Sequence, residues 1–332
     1  MTITSFNPAT DAVLAELPSH DEAAIEKKLD QAASAQRQWA RTPLAERMAL
    51  LKRVSQALRD QKAEMAPLAT LEMGKPLAES LGEVEKCAWN FDVYADAAPG
   101  FLADQVVASS ASDSRIVFDP LGLVLAVMPW NYPFWQVMRA AAPVLADADV
   151  EAAAAVAVKA RFQNTGQSCI AAKRFIVEHA AADRFVEAFV AGARKLVVGD
   201  PMADGTTQGA MAKRNLRDEL HAQVQASVQQ GAKLLMGGKP VAGAGAFYEP
   251  TVLDHVAPTM TAACEETFGP AAAILRVADA DEAVRVANGT PFGLGAALWT
   301  ADLDRARQLT RQIDAGAVFV NGMVASDPRL PF

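Results

Sequence analysis

The fold is decided by residues 151–177, which read EAAAAVAVKARFQNTGQSCIAAKRFIV. The alanine-rich part favours a helix that runs from about residue 149 to Phe162. Gly166 is typical of a turn, and Phe175–Val177 is rich in the aromatic and β-branched residues that strands prefer. The stretch therefore predicts a helix, a glycine turn that carries a cysteine, and then a strand.

Helices dominate the sequence that precedes this stretch. Ser19 and Glu22 have the spacing of a capping box, and apolar residues recur after them at helical intervals. Gly74 is expected to end a later helix and Pro76 to open the next, which continues to about Ala97. The first hundred residues are thus predicted to be mainly helical.

From Arg115 onward, short strands and helices alternate. Residues 116–118 and 123–128 read as two strands around a turn, and residues 133–145 read as a helix. A further helix is expected at 182–196, and the alternation continues to Val320. This order predicts an α/β fold of packed layers.

Composition excludes several classes of protein. The chain has 332 residues, 51% of them hydrophobic, and this is enough to form buried cores. The net charge of −8 leaves no basic excess for nucleic acid, and no apolar run of membrane-spanning length occurs. Three widely spaced cysteines suggest neither disulfides nor a metal site, so we expect a soluble cytoplasmic protein with reduced thiols.

Cys169 is the candidate nucleophile. It follows the turn at Gly166, where backbone amides can face its sulfur and expose it as a nucleophile. A single cysteine is more often a small buried apolar residue, so other residues must support the functional interpretation.

Two other segments could supply that support. Asn131 follows an apolar strand and offers an amide that could hold an oxyanion, although a plain turn residue is an equal alternative. Glu265 and Glu266 precede Phe268 and a Gly-Pro break, a pattern that alone usually marks a solvated loop.

Taken together, these segments resemble the aldehyde dehydrogenase superfamily. The matching motifs occur in the family's order at 129–133 (PWNYP), 164–169 (NTGQSC), 265–270 (EETFGP), 291–294 (PFGL) and 320–322 (VNG). Residues 7–10 (NPAT) and 73–76 (MGKP) also match. The sequences of these motifs are most similar to those of bacterial NAD(P)-dependent succinate-semialdehyde dehydrogenases. This resemblance implies oxidation of an aldehyde, and succinate semialdehyde is the expected substrate.

The resemblance implies a role for each matching residue. Cys169 would attack the aldehyde, form a thiohemiacetal and then carry a thioester. Asn131 and the backbone amide of the cysteine would hold the oxyanion. Glu266 would bind the nicotinamide ribose of NAD or NADP, with Phe268 beside it and Trp130 in the cofactor cleft.

Recognition of the substrate carboxylate is assigned to an arginine. Arg139 stands where semialdehyde-specific relatives carry one, although an exposed helix arginine without a ligand is an equal alternative. Gln163 replaces a second arginine of some relatives. Substitutes for that arginine, and a further hydrogen-bonding group, are sought at Arg161, Arg329 and Ser326.

One interval of the family pattern is missing. The chain passes directly from Leu145 to Asp149, where relatives continue through the core of a Rossmann-like cofactor domain. Residues 1–146 are therefore expected to hold the helical part and a remnant of that domain, with an oligomerisation strand near 114–122. Residues 147–332 would form the catalytic domain, and the final strand of relatives is also expected to be absent.

The missing interval would hold a ribose-binding lysine, the pyrophosphate turn and the general base of deacylation. We therefore expect impaired cofactor binding, poor activity and a weakened homo-oligomer. The alternative is a non-catalytic interaction protein that joins a full-length dehydrogenase. A third explanation is a deletion artefact, which resequencing the codons for Leu145 to Asp149 would decide.

Overall fold

The computed structural model describes residues 2–39, 41–106, 115–116, 129–139, 150–243, 245–300 and 302–324. Within these residues, strands alternate with helices that cover both faces of a central sheet. The α/β layered architecture expected from the sequence is therefore confirmed.

The N-terminal part is a hairpin followed by four helices. Strands β1 (Thr2–Phe6) and β2 (Val13–Pro18) pair antiparallel. The helices are α1 (Glu22–Trp39), α2 (Leu44–Asp60), α3 (Lys62–Met73) and α4 (Leu77–Phe101). This confirms the helical character predicted for the first hundred residues.

The ends of these helices follow the sequence in part. Gly74 ends α3 with a left-handed φ of 77°, as predicted. The predicted capping box at Ser19 is wrong, because the side chain of Asp21 accepts the backbone N–H of Ala24 at 2.8 Å. An aspartate directly before the first turn satisfies that free N–H without Ser19.

Helix α4 is the centre of the N-terminal core. It packs against α2 and α3 and buries Val84, Cys87 and Ala88 against Leu58 and Trp135. In contrast, none of the 18 residues of α1 is buried. Its apolar side chains Ile25, Leu29 and Trp39 are 42–50% exposed.

The segment before the central sheet is described in pieces. Strands β3 (Gln105–Val106) and β4 (Arg115–Ile116) pair antiparallel, so the predicted strand at 116–118 begins within β4. Its remainder and the strand predicted at 123–128 lie outside the described residues. Helices α5 (Pro133–Arg139) and α6 (Val150–Phe162) match the predicted helices where they are described.

The central sheet contains β5 (Arg174–Glu178), β6 (Lys233–Met236), β7 (Thr251–Asp254) and β8 (Ala271–Val277), in the order β5-β8-β7-β6. Strand β8 is parallel to β5 and β7, whereas β6 is antiparallel to β7. The strand predicted at 175–177 is thus confirmed within β5.

Both faces of this sheet are buried, because successive side chains of a strand point to opposite sides. On β8, Ile274 joins the core formed with α6 and α7 (His179–Ala193). Its neighbour Leu275 joins the core formed with α8 (Arg214–Gln229) and α9 (Thr261–Cys264). Helix α7 begins and ends three residues earlier than the range predicted from the sequence.

The C-terminal part of the described chain adds a second, smaller sheet. Strands β9 (Ala296–Leu298) and β10 (Val318–Val320) pair in parallel. Helices α10 (Ala280–Asn288) and α11 (Leu303–Leu309) flank β9 in the sequence. Among the described helices, none combines the length and apolar character needed to cross a bilayer.

Candidate active site

The turn that carries the candidate nucleophile has a restricted backbone. After α6 ends at Phe162, a 3-10 turn spans Gln163–Gly166. Asn164, Thr165 and Gly166 all have a positive φ, of 53°, 56° and 72°. A Cβ on Gly166 would lie 2.3 Å from the carbonyl oxygen of Gly269, so only glycine fits there. Cys169 follows this turn and is partly buried.

Asn131 reaches the same turn. Its side-chain Nδ2 donates to the carbonyl of Gln167 at 3.0 Å, two residues before Cys169. Its Oδ1 accepts from Nε2 of Gln136 at 3.0 Å, and its carbonyl accepts from Nδ2 of Asn164 at 2.7 Å. Asn131 is only 2% exposed, so these bonds fix the amide beside the nucleophile turn.

The loop that contains Glu266 also lies against this turn. Its carboxylate pairs with Nζ of Lys173 at 3.1 Å. The same ammonium donates to the carbonyls of Ser168 and Cys169, each at 3.3 Å. Burial and the nearby charge of Arg161 lower the pKa of Lys173. Lys173 thus joins the loop of Glu266 to the backbone at Cys169.

Two aromatic residues lie beside these segments of the candidate site. The rings of Trp130 and Phe268 meet edge to face, with their centroids 5.9 Å apart. Trp130 is 44% exposed and so presents its ring to the outside of the site. The structure therefore brings together the segments of Asn131, Cys169 and Glu266, with Trp130 and Phe268 beside them.

Arg161 is a structural arginine, which corrects its suggested role as a substitute for a substrate-binding residue. It is fully buried and donates to the carbonyls of Gly166, Thr267 and Gly269. Burial lowers the pKa of its guanidinium to about 9. Because it is fully buried and its two terminal nitrogens donate to backbone oxygens, Arg161 holds two loops together and has no access to a substrate.

The other residues assigned to the substrate are described only in part. Arg139 is the last residue of α5, eight positions after Asn131, and its side chain lies outside the description. Ser326 and Arg329 also lie outside the described residues. Gln163 begins the 3-10 turn and is partly buried.

The sequence reasoning missed two acidic residues of α4. Glu79 accepts the backbone N–H of Asn164 at 2.7 Å. Glu83 pairs with the buried Lys75 and accepts the backbone N–H groups of Phe134 and Trp135 at 2.8 and 2.7 Å. The available signal was the spacing of four residues, which places the carboxylates of Glu79 and Glu83 on one face of a partly buried helix.

The three cysteines differ in their surroundings. Burial raises the pKa of Cys87 to about 12, which suits its expected structural role. Cys264 is exposed, and its Sγ lies 3.0 Å from the carbonyl of Pro258. Among the described residues, no group of three or more His, Cys, Asp or Glu side chains is placed to hold a metal ion.

The nicotinamide end of a dinucleotide has residues that fit it. The Glu266 side chain keeps 44% of its surface exposed despite its pairing with Lys173, so its carboxylate can accept hydrogen bonds from the hydroxyl groups of a ribose. The exposed ring of Trp130 and its neighbour Phe268 offer apolar contacts next to that carboxylate. These residues suit only one end of so large a ligand.

Comparison with known proteins identifies the family pattern. A sequence profile of the Aldehyde dehydrogenase family matches residues 1–146 and 141–332. The chain is 37% identical to the succinate semialdehyde dehydrogenase [NAD(P)+] of Escherichia coli, with 100% of this chain and 93% of that protein covered. It is 34% identical to a probable succinate-semialdehyde dehydrogenase [NADP(+)] of Synechocystis, over 100% and 94% of the two chains.

Solved structures of aldehyde dehydrogenases are also similar to this chain. The succinate-semialdehyde dehydrogenase of Burkholderia pseudomallei superposes with a TM-score of 0.93 at 26% identity, covering 100% of this chain and 89% of its own. An NAD-dependent aldehyde dehydrogenase of Sinorhizobium meliloti gives a TM-score of 0.92 at 27% identity, with 100% and 86% covered.

The comparisons also confirm the internal gap. The alignment with the Escherichia coli protein spans 431 positions, 99 more than the 332 residues of this chain. The family profile matches in two pieces that meet at 141–146, beside the junction predicted between Leu145 and Asp149. An interval that the relatives contain is therefore missing at this point.

Proposed function

Because this chain belongs to the aldehyde dehydrogenase family, we propose that it acts on an aldehyde through Cys169, and that the aldehyde is succinate semialdehyde. The family is one of oxidoreductases, and the named relatives at 34–37% identity oxidise this semialdehyde with NAD(P). The single observation that carries the proposal is the hydrogen bond that ties the Asn131 amide to the turn before Cys169.

The first step needs only residues of this chain. The Cys169 thiolate adds to the aldehyde carbon, and the carbonyl oxygen gains the negative charge. Nδ2 of Asn131 has two hydrogens, and among the described residues one acceptor, the carbonyl of Gln167, lies within hydrogen-bond distance. The second hydrogen is therefore available for the oxyanion, with the backbone N–H of Cys169 as its partner donor.

The second step needs a dinucleotide, which would supply the hydride acceptor that converts the thiohemiacetal on Cys169 to a thioester. Glu266 would hold the nicotinamide ribose, with Phe268 beside it and Trp130 in the cofactor cleft. The resemblance assigns the pyrophosphate turn to the missing interval, so we propose that NAD or NADP binds weakly. The preference between the two cofactors would be set in that same interval.

The substrate carboxylate is assigned to Arg139. It ends α5, which begins at Pro133, two residues after Asn131, so its backbone lies a little less than two helical turns beyond the start of that helix. A planar guanidinium suits a carboxylate because it donates two parallel hydrogen bonds. We propose that this one arginine selects a semialdehyde, because Arg161 is occupied by backbone carbonyls.

Deacylation is the step that we propose to be slow. The family's general base belongs to the missing interval, and loss of a general base typically costs a factor of about 10²–10⁴ in rate. The chain would thus form a thioester and release its acid slowly.

The test is a turnover assay. Purified protein should give little reduced nicotinamide with succinate semialdehyde and either cofactor, even at saturating aldehyde. The Cys169→Ser variant is the control for background reduction. Turnover at the rate of an ordinary enzyme, about 1–10³ per second, would refute the proposed defect while leaving the assignment of the reaction intact.

A second candidate function is that of an interaction protein which joins a full-length dehydrogenase. The observation that favours it is α1, whose apolar residues Ile25, Leu29 and Trp39 lie exposed along one amphipathic helix. Mixing with a purified full-length relative from the same organism should give a heavier species in light scattering, and Leu29→Glu should abolish it. A mixture of two unchanged species at micromolar concentration argues against this function.

A further inference from the structure

Two carboxylates on α4 contact the two segments that form the candidate active site. Glu79 and Glu83 are four residues apart, so they lie on the same face of the helix, one turn from each other. Glu79 accepts the N–H of Asn164, and Glu83 accepts the N–H groups of Phe134 and Trp135. One helix face thus binds the nucleophile turn and the segment after Asn131.

We propose that Glu79 and Glu83 are positioning residues, which align the amide of Asn131 with the turn before Cys169. The inference rests on the proposed function, because it assumes that Asn131 and Cys169 act on the same substrate carbonyl. In this proposal, α4 positions residues of the candidate site in addition to packing in the N-terminal core.

Glu83 holds the Asn131 segment. It is 5% exposed and paired with Lys75, which is fully buried. Its Oε1 accepts two consecutive N–H groups in the first turn of α5, at 2.8 and 2.7 Å. A carboxylate at this place satisfies free N–H groups and fixes the direction in which the helix starts, two residues beyond Asn131.

Glu79 holds the nucleophile turn. The left-handed conformation of Asn164 and Thr165 is unfavourable for residues other than glycine. The turn therefore needs strong contacts to persist. A hydrogen bond from a backbone N–H to an ionised carboxylate is about twice as strong as a neutral one. The 2.7 Å bond from Asn164 to Glu79 is such a contact.

The two supports are linked through Asn164. Its Nδ2 donates to the carbonyl of Asn131 at 2.7 Å and to that of Gln167 at 2.9 Å. A shift of Asn164 would therefore move the oxyanion amide and the nucleophile turn relative to each other.

The charge of Glu79 changes within the physiological pH range. Burial raises its pKa to about 7, against the opposing effects of the Asn164 N–H and of Lys75 and Lys159. The charge of Glu83 raises the pKa of Glu79 further. The buried phenol of Tyr132 also interacts electrostatically with both carboxylates. Below pH 7 the protonated Glu79 is a weaker acceptor, so the turn should loosen.

Hydrogen exchange tests this directly. We would measure protection of the 162–169 peptide at pH 6 and pH 8, corrected for intrinsic rates, in the wild type, Glu79→Gln and Glu85→Gln. Glu85 is the matched control, because it lies on the same helix but pairs with Arg59 and Lys62 at the surface. A parallel assay would follow acylation of Cys169 by 4-nitrophenyl acetate, with iodoacetamide alkylation as the reference.

Wild type and Glu85→Gln should lose about tenfold in protection from pH 8 to pH 6. Glu79→Gln should show the lower protection at both pH values, with acylation falling about tenfold relative to alkylation. Wild-type protection and pH dependence in Glu79→Gln would overturn the inference. If the wild-type thiol fails to react with the ester, the proposed nucleophile is wrong, whereas hydrogen exchange still decides the role of Glu79.

Discussion

At the scale of single residues, the candidate site consists of the Asn131 amide and the Cys169 thiol, and neighbouring residues hold the amide in place. Asn131 was singled out by its place after an apolar stretch; its amide donates to the Gln167 carbonyl, and its oxyanion role stays a prediction. Its second partner, Gln136, carries no signal in the sequence, because a glutamine in a short helix is usually exposed. Long-range contacts of this kind become visible only once the chain is folded.

Replacement of Asn131 by alanine should slow acylation of Cys169 by 4-nitrophenyl acetate by about 10²–10³-fold, because one oxyanion donor is removed. Alkylation of the same thiol by iodoacetamide forms no oxyanion and should change little. Stopped-flow release of 4-nitrophenolate and mass-spectrometric alkylation rates provide the two readings. Equal slowing of both reactions would mean that the substitution disturbs the thiol itself.

Glu79 should also give stability a pH dependence. Its folded-state pKa of about 7 lies above the unfolded value of 4.5, so the folded state binds the proton more tightly. The stability from this group is complete below pH 4.5 and is lost as the pH rises to about 7, by up to about 1.4 kcal/mol per pH unit. Glu79→Gln should flatten this part of the curve, as measured by urea unfolding from pH 5 to 8. An unchanged curve would show that the carboxyl titrates outside this range.

At the scale of elements, hydrogen bonds between loops determine the site more than the helices and strands do. The strand at 175–177, the end of α3 at Gly74 and the helix that ends at Phe162 follow from local propensity and were predicted. The contact between the nucleophile turn and the loop of Glu266 is formed across about a hundred residues and depends on Arg161. No local pattern distinguishes such a buried arginine from an exposed one.

Arg161→Met should therefore separate these two loops. Four backbone carbonyls, those of Gly166, Ala172, Thr267 and Gly269, would lose a charged donor inside the protein. We expect a loss of about 2–4 kcal/mol in the free energy of unfolding. Urea unfolding measures this, with the exposed Arg311→Met as the control. A loss below about 0.5 kcal/mol would mean that the carbonyls find other donors or water.

At the scale of the whole molecule, the chain belongs to the aldehyde dehydrogenase family and lacks an interval that its relatives contain. The order of motifs and the jump from Leu145 to Asp149 were sufficient to predict the family and the gap from the sequence, and the two-part family match confirms both. The division into parts at residue 146, the weakened homo-oligomer and the substrate role of Ser326 stay predictions. They depend on contacts made by residues outside the described part of the chain.

We propose above all that Cys169 remains a working nucleophile in a chain that deacylates slowly. Intact-mass spectrometry over time, after a pulse of 4-nitrophenyl acetate, measures both properties at once. We expect one acetyl group per chain, located on Cys169 by peptide mapping, absent in Cys169→Ser and persisting long after the ester is removed. Acetylation of Cys264 instead, or no stable adduct because the thioester is hydrolysed rapidly, would contradict it.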